Sequence, residues 1–158
     1  MLNIGDKVFL PNYGAGIIND IEDKLVFNKI YKYISIAMML DSMQLLIPEY
    51  KLQSYRIRDV ESKNNAEYAI NIITEIPIKI VKKWSNRYRE NNEKISTGNL
   101  LKQCEVLRDL YYLKAKGILP PGEKKILDKV ENLVASELML IYNLELQESI
   151  KLLRKFSK

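Results

Sequence analysis

The segment from Lys79 to Lys94 has the most legible chemistry in this chain. It holds six basic residues, Lys79, Lys82, Lys83, Arg87, Arg89 and Lys94, against two acids, Glu90 and Glu93, and it contains Tyr88 and the single tryptophan, Trp84. Cations at this density neutralise phosphates, and an aromatic ring set among them can meet bases or wedge open a base step. The same letters also suit an ordinary amphipathic helix with a solvated basic side, because Ile80, Trp84 and Tyr88 recur at i, i+4 and i+8. Pattern alone leaves both readings open.

Other candidates carry less. Lys124-Lys125 falls in what reads as the first turn of a helix, where two cations oppose the macrodipole, so the pair is either a second basic spot or simply solvated. Gly14-Ala15-Gly16 invites comparison with a phosphate-binding loop, but no lysine-serine or lysine-threonine pair follows and the next segment reads as strand; a tight β-turn explains it. Glu105, Arg108 and Asp109 read as helix-surface ion pairs. The lone Cys104 cannot form an internal disulfide and reads as a buried helix residue, and with no histidine in the chain neither a common metal site nor the usual general base is available. No nucleophile sits in a recognisable motif, so the expectation is a protein that is not an enzyme and needs no cofactor or metal.

The elements that must position these residues divide in two. Of 25 basic and 20 acidic side chains, six and six lie in residues 1–57, so 19 and 14 fall after them and the whole basic excess belongs to the second part. The first part reads as short strands, Lys7 to Leu10, Ala15 to Ile21, Tyr31 to Met38 and Gln44 to Pro48, separated by turn residues at 11–14, Asn28 and Asp41-Ser42; a small antiparallel barrel is expected. After Arg58 the period becomes helical. Asp59 or Ser62 caps a first helix that Pro77 ends, a second covers roughly Ile80 to Ile95, and a third runs from Leu100 to near Lys116, stopped by Gly117. A fourth opens at Pro120-Pro121-Gly122-Glu123, and a last short helix or fraying continuation follows Asn143. The fold class is therefore α+β: domain 1–57, a small antiparallel barrel, then domain 58–158, an all-α bundle. With 47% apolar and 28% charged residues, no leader-like start, and no run near the roughly 18 apolar residues of a membrane span, a cytoplasmic protein without membrane contact is expected.

Four motifs, in order and spacing, resemble the CarD/CdnL family over nearly the whole chain: Ile4-Gly5-Asp6-Lys7-Val8, Pro11-Asn12-Tyr13-Gly14-Ala15-Gly16, Trp84-Ser85-Asn86-Arg87-Tyr88 and Gly122-Glu123-Lys124-Lys125-Ile126-Leu127, with Val106-Leu107-Arg108-Asp109-Leu110 between the last two. The resemblance implies a Tudor-like domain, shared with transcription-repair coupling factors, that binds the β subunit of bacterial RNA polymerase, and a helical domain that contacts promoter DNA with little sequence preference. No helicase motifs follow, which implies a stand-alone regulator.

Carried over residue by residue, Trp84 matches the family's wedge tryptophan at the upstream edge of the transcription bubble, flanked by Lys83, Arg87, Tyr88 and Arg89 toward DNA, with Lys124 and Lys125 as the second basic spot. Lys24 and the stretch Leu45-Leu46-Ile47 match the polymerase-docking region. Asn86 and Leu46 stand where the pattern usually has basic residues. The implied function is stabilisation of the promoter open complex by a monomer bound to polymerase holoenzyme. The alternative is a polymerase-bound adaptor that recruits another protein and hardly touches DNA.

Overall fold

The computed structural model describes residues 2–157. Strands β1 (Lys7–Leu10), β2 (Gly14–Val26), β3 (Lys29–Met38) and β4 (Gln44–Pro48) are followed by a 3-10 segment, Glu49–Tyr55, and a short β5 (Arg58–Asp59). They form one antiparallel sheet in the order β4–β3–β2–β1–β5. The sheet is open, with β4 and β5 as its outer strands, rather than closed as a barrel. The fifth strand lacks any sequence signal; it exists because Arg58 and Asp59 pair with Phe9 and Val8, which carries the sheet past residue 57.

The β2–β3 hairpin is long, and its turn residues Phe27 and Asn28 both take positive φ, +49° and +63°, as a two-residue primed turn requires. At its tip Leu25, Phe27 and Ile30 stand 70%, 97% and 72% exposed.

Because side chains alternate along a strand, β1 feeds two cores. Val8 and Leu10 join Ile18, Ile34, Ile36, Met38 and Ile47 in a core within the sheet half. Phe9 and its partner Ala15 point the other way, into a larger core built with the helices.

Five helices follow: α1 (Lys63–Asn71), α2 (Trp84–Ser96), α3 (Leu100–Ala115), α4 (Pro121–Tyr142) and α5 (Leu146–Phe156). Their ends obey local chemistry. The Ser62 hydroxyl accepts the Asn65 N–H and the Asn99 side chain accepts the Lys102 N–H. Gly117 and Asn143 take the left-handed conformation that stops α3 and α4, and Glu145 with Glu148 forms a capping box on α5. Between α4 and α5, buried Glu131 accepts the Tyr111 hydroxyl at 2.5 Å and two Arg154 N–H groups at 3.0 and 2.9 Å. The expected second helix is shorter than its periodicity suggested, starting at Trp84 rather than Ile80.

The two halves meet across named contacts. The Ala15 N–H donates to Ser136 Oγ on α4 at 2.9 Å, and a methyl group placed on Gly14 would stand 2.7 Å from that oxygen. Gly98, between α2 and α3, is as close to Pro11. Arg58 donates from both terminal nitrogens to fully buried Glu137 at 2.8 Å, donates Nε to the Gly98 carbonyl at 2.8 Å, and lies 4.5 Å from the Phe9 ring centroid. Glu137 also accepts the Glu61 N–H at 2.9 Å. The glycine-rich motif that failed as a phosphate loop is thus the seat on which the sheet half rests against α4.

Candidate nucleic-acid interface

Helix α2 turns inward the ridge Arg87, Asn91 and Ile95, which are 8%, 5% and 1% exposed. The neighbouring ridge, Trp84 and Tyr88, faces solvent at 62% and 42% exposure. The Ile80-Trp84-Tyr88 spacing is therefore not a buried stripe: Ile80 precedes the helix and packs partly on the large core, while the two aromatic residues do not pack inward.

Lys83 is the residue before the first turn, so its extended backbone leaves its side chain and that of Trp84 at the open end of the helix. An indole exposed there is poor for stability and well placed for contact with a partner.

Arg87 departs from the expected phosphate-binding position. Its Nε lies 3.0 and 2.8 Å from the two Glu123 carboxylate oxygens, its Nη2 2.6 Å from Oε1, and its Nη1 donates to the Val81 carbonyl at 2.9 Å. Glu123 is 1% exposed. A guanidinium in this fork geometry has committed its donors internally. The consequence is positional: the pair ties the start of α2, with Trp84, to the first turn of α4, where Lys124 and Lys125 follow Glu123 as exposed residues. Arg89 stays outside, in a loose 4.0 Å contact with Glu93 that leaves its side chain 67% accessible. The structure therefore leaves Trp84, Lys83, Tyr88, Arg89, Lys124 and Lys125 exposed on two helices that Arg87 and Glu123 link, and withdraws Arg87.

The comparisons with known proteins bear on both halves. Residues 2–61 match the family model of the CarD-like/TRCF RID domain, and residues 69–154 match that of the CarD C-terminal domain. The chain is 35% identical over 141 residues to "Putative transcription factor YdeB" of Bacillus subtilis (strain 168), across 89% of this chain and 92% of that one. The chain belongs to the CarD family.

In the CarD-like sheet half, the expected docking residues separate by the pleat. Leu46 points outward, 46% exposed, opposite Ser35. Leu45 and Ile47 point inward: Leu45 packs on the small core and Ile47 is 1% exposed within it. Of the expected docking stretch, Leu46 alone presents its side chain outward, since adjacent positions on a strand cannot share a face. Lys24 lies on the same face as Leu46, as the register through Tyr33 and Ser35 shows; its ammonium sits 5.7 Å from the Tyr33 ring centroid and 3.4 Å from Glu22. Asn86 is half-buried.

Among the described residues no cluster of three or more His, Cys, Asp or Glu is arranged to hold a metal, and no helix is long and apolar enough to cross a membrane. Cys104 is fully buried on α3, where burial first, then the charges of Glu137 and Glu105, pushes its thiol well up from the ordinary range. A thiol so held is a poor nucleophile. The native protein is expected to leave a disulfide reagent such as dithionitrobenzoate unreacted at neutral pH, and to release one equivalent of colour per chain when unfolded in guanidinium.

The groups that organise this CarD-family site and were missed from sequence are Glu123 as the partner of Arg87, and Ser136 and Glu137 as the seat of the sheet half. A glutamate three residues into α4 reads equally well as a dipole-favoured surface acid. Nothing local distinguishes it from one that reaches another helix.

Proposed function

We propose that the protein is a transcription regulator that binds the β subunit of bacterial RNA polymerase through its sheet half and holds promoter DNA open with Trp84 at the upstream fork of the bubble. The observation that carries this reading is the exposed Trp84, presented at the start of α2 beside unburied cations and braced by the Arg87–Glu123 pair. On the polymerase side, support comes from β4 as an outer strand, free to add a backbone partner. Lys24 and Leu46 share one face near it, and the apolar hairpin tip stands beside Lys24.

The magnitudes define what such a wedge does. Burying an aromatic ring gains about 1.5–3 kcal/mol, whereas unstacking a base step costs a few kcal/mol, so the wedge does not melt a promoter. It favours DNA that polymerase has already opened by filling the distorted minor groove and hindering reannealing. A basic patch of this kind binds DNA nonspecifically with Kd of about 10⁻⁴–10⁻⁶ M, so recruitment comes through polymerase and tethering raises the local DNA concentration.

The test is open-complex lifetime with bacterial polymerase in the absence of factor, with wild type and with Trp84→Ala. Wild type is expected to lengthen it by about tenfold or more, the value of one buried ring, and the variant to lose that gain while still binding polymerase. An unchanged lifetime in the variant would remove Trp84 from the mechanism. A second reading, an adaptor that recruits another protein, draws on Ile76 and Ile78, 77% and 102% exposed in the loop before α2. Salt-sensitive promoter binding that weakens in Arg89 and Lys124 substitutions would argue against it.

A further inference from the structure

The turn Pro11–Tyr13 and the 3-10 segment Glu49–Tyr55 face one another across a cleft of about 610 Å³, within the range of small-ligand sites. It lies in the sheet half, where Tyr50 on its wall packs against Tyr31 of β3 with ring centroids 5.4 Å apart. Its only charged lining residues are Lys51 and Arg56, and among the described residues neither is ion-paired. Its aromatic lining is arranged: Tyr13 and Tyr55 form a tilted pair with centroids 6.2 Å apart, and the Lys51 ammonium sits 6.0 Å from the Tyr50 ring centroid.

Arg56, which closes the 3-10 segment, has φ +51° and ψ +41°, the left-handed region where glycine or asparagine fits at lower cost. Arg56 stands exposed at the cleft with no carboxylate partner among the described residues.

We infer that this cleft binds a nucleoside polyphosphate, with Lys51 and Arg56 on the phosphates and the base laid against the Tyr13–Tyr55 pair. Unpaired cations select an anion, and the tyrosine faces select a flat ring joined to it. Duplex DNA is a convex rod that meets projecting groups such as Trp84; a concave site of this size admits one nucleotide. The inference does not depend on the polymerase or DNA reading.

Calorimetric titration of the full chain with ADP and with GDP tests it, with pyrophosphate, adenosine and a short single-stranded oligodeoxynucleotide as separate arms. At least one nucleotide is expected to bind, pyrophosphate and adenosine more weakly, and Arg56→Gly and Lys51→Ala each to weaken nucleotide binding by about tenfold or more, the value of one charge-assisted contact. Because glycine suits the left-handed position, Arg56→Gly is expected to unfold at the same temperature as wild type or higher, so lost binding cannot be ascribed to lost fold. The inference is overturned by absence of nucleotide binding in the wild type, by undiminished binding in Arg56→Gly, by pyrophosphate binding as tightly as the nucleotide, or by a clear preference for the oligonucleotide, which would make the cleft a contact for single strands.

Discussion

Replacing Glu123 by alanine is expected to cost about 3–5 kcal/mol of folding stability, a large share of the roughly 5–15 kcal/mol that holds a domain together. The reason lies in what is left behind. Arg87 is 8% exposed and directs three close contacts at the Glu123 carboxylate, so the variant strands a guanidinium where water reaches it poorly. Urea unfolding should show the loss as a lower midpoint with an unchanged slope. The pair itself is a different matter from its breakage, since two desolvated charges repay little beyond their own desolvation. Arg87→Met combined with Glu123→Leu should therefore recover most of the stability lost by either single change, and a double-mutant cycle would expose the coupling. If Glu123→Ala proves as stable as wild type, the link between α2 and α4 is carried by apolar packing, and the Trp84 end of α2 is not braced as described.

Glu137→Ala is expected to cost about 2–4 kcal/mol, less than a fully enclosed pair because the Arg58 side chain keeps 24% of its surface in water. Its distinctive effect is on cooperativity. Glu137 receives Arg58 from the last strand and the Glu61 N–H from the segment after it, so removing the carboxylate loosens the sheet half from α4 while leaving each half's interior untouched. Native-state hydrogen exchange should show this as amides of β1 opening at lower free energy than those of α3 and α4, whereas the wild type is expected to open them together. Equal protection in the variant would mean that Phe9, Ala15 and Ser136 suffice to hold the halves.

Much of this architecture was legible in sequence because it rests on local rules. Turn residues bounded the strands, Ser62, Asn99, Gly117 and Asn143 marked helix ends, and the sheet-then-helix order followed from the change of period. What escaped was tertiary. Arg87 looked like a free cation because a basic residue between Trp84 and Arg89 has the same letters whether it faces a phosphate or a glutamate from another helix. Leu45 and Ile47 were grouped with Leu46 as one motif, yet the pleat sends neighbours to opposite faces, and strand β4 was too short for its alternation to assert itself against a continuous apolar run. The start of α2 was placed at Ile80 because apolar spacing continued through it; the chain is instead irregular there and bent at Lys82 and Lys83, with the Val81 carbonyl accepting from Arg87. Trp84 is the instructive case, since its spacing alone did not say whether it packs inward, and the structure leaves it 62% exposed.

The seat between Ala15 and Ser136 also bears on how the chain is made. The two residues are 121 apart in sequence, which at a synthesis rate of about 5–20 residues per second separates their appearance by roughly 6–24 s. Through that interval the face of the sheet that carries Phe9 and Ala15 has no α4 to cover it, and Arg58, once made, is 79 positions ahead of Glu137. The first strands leave the ribosome with an apolar surface and an arginine whose carboxylate partner lies on the fourth helix, so the nascent sheet half is the stage at which a chaperone has most to hold.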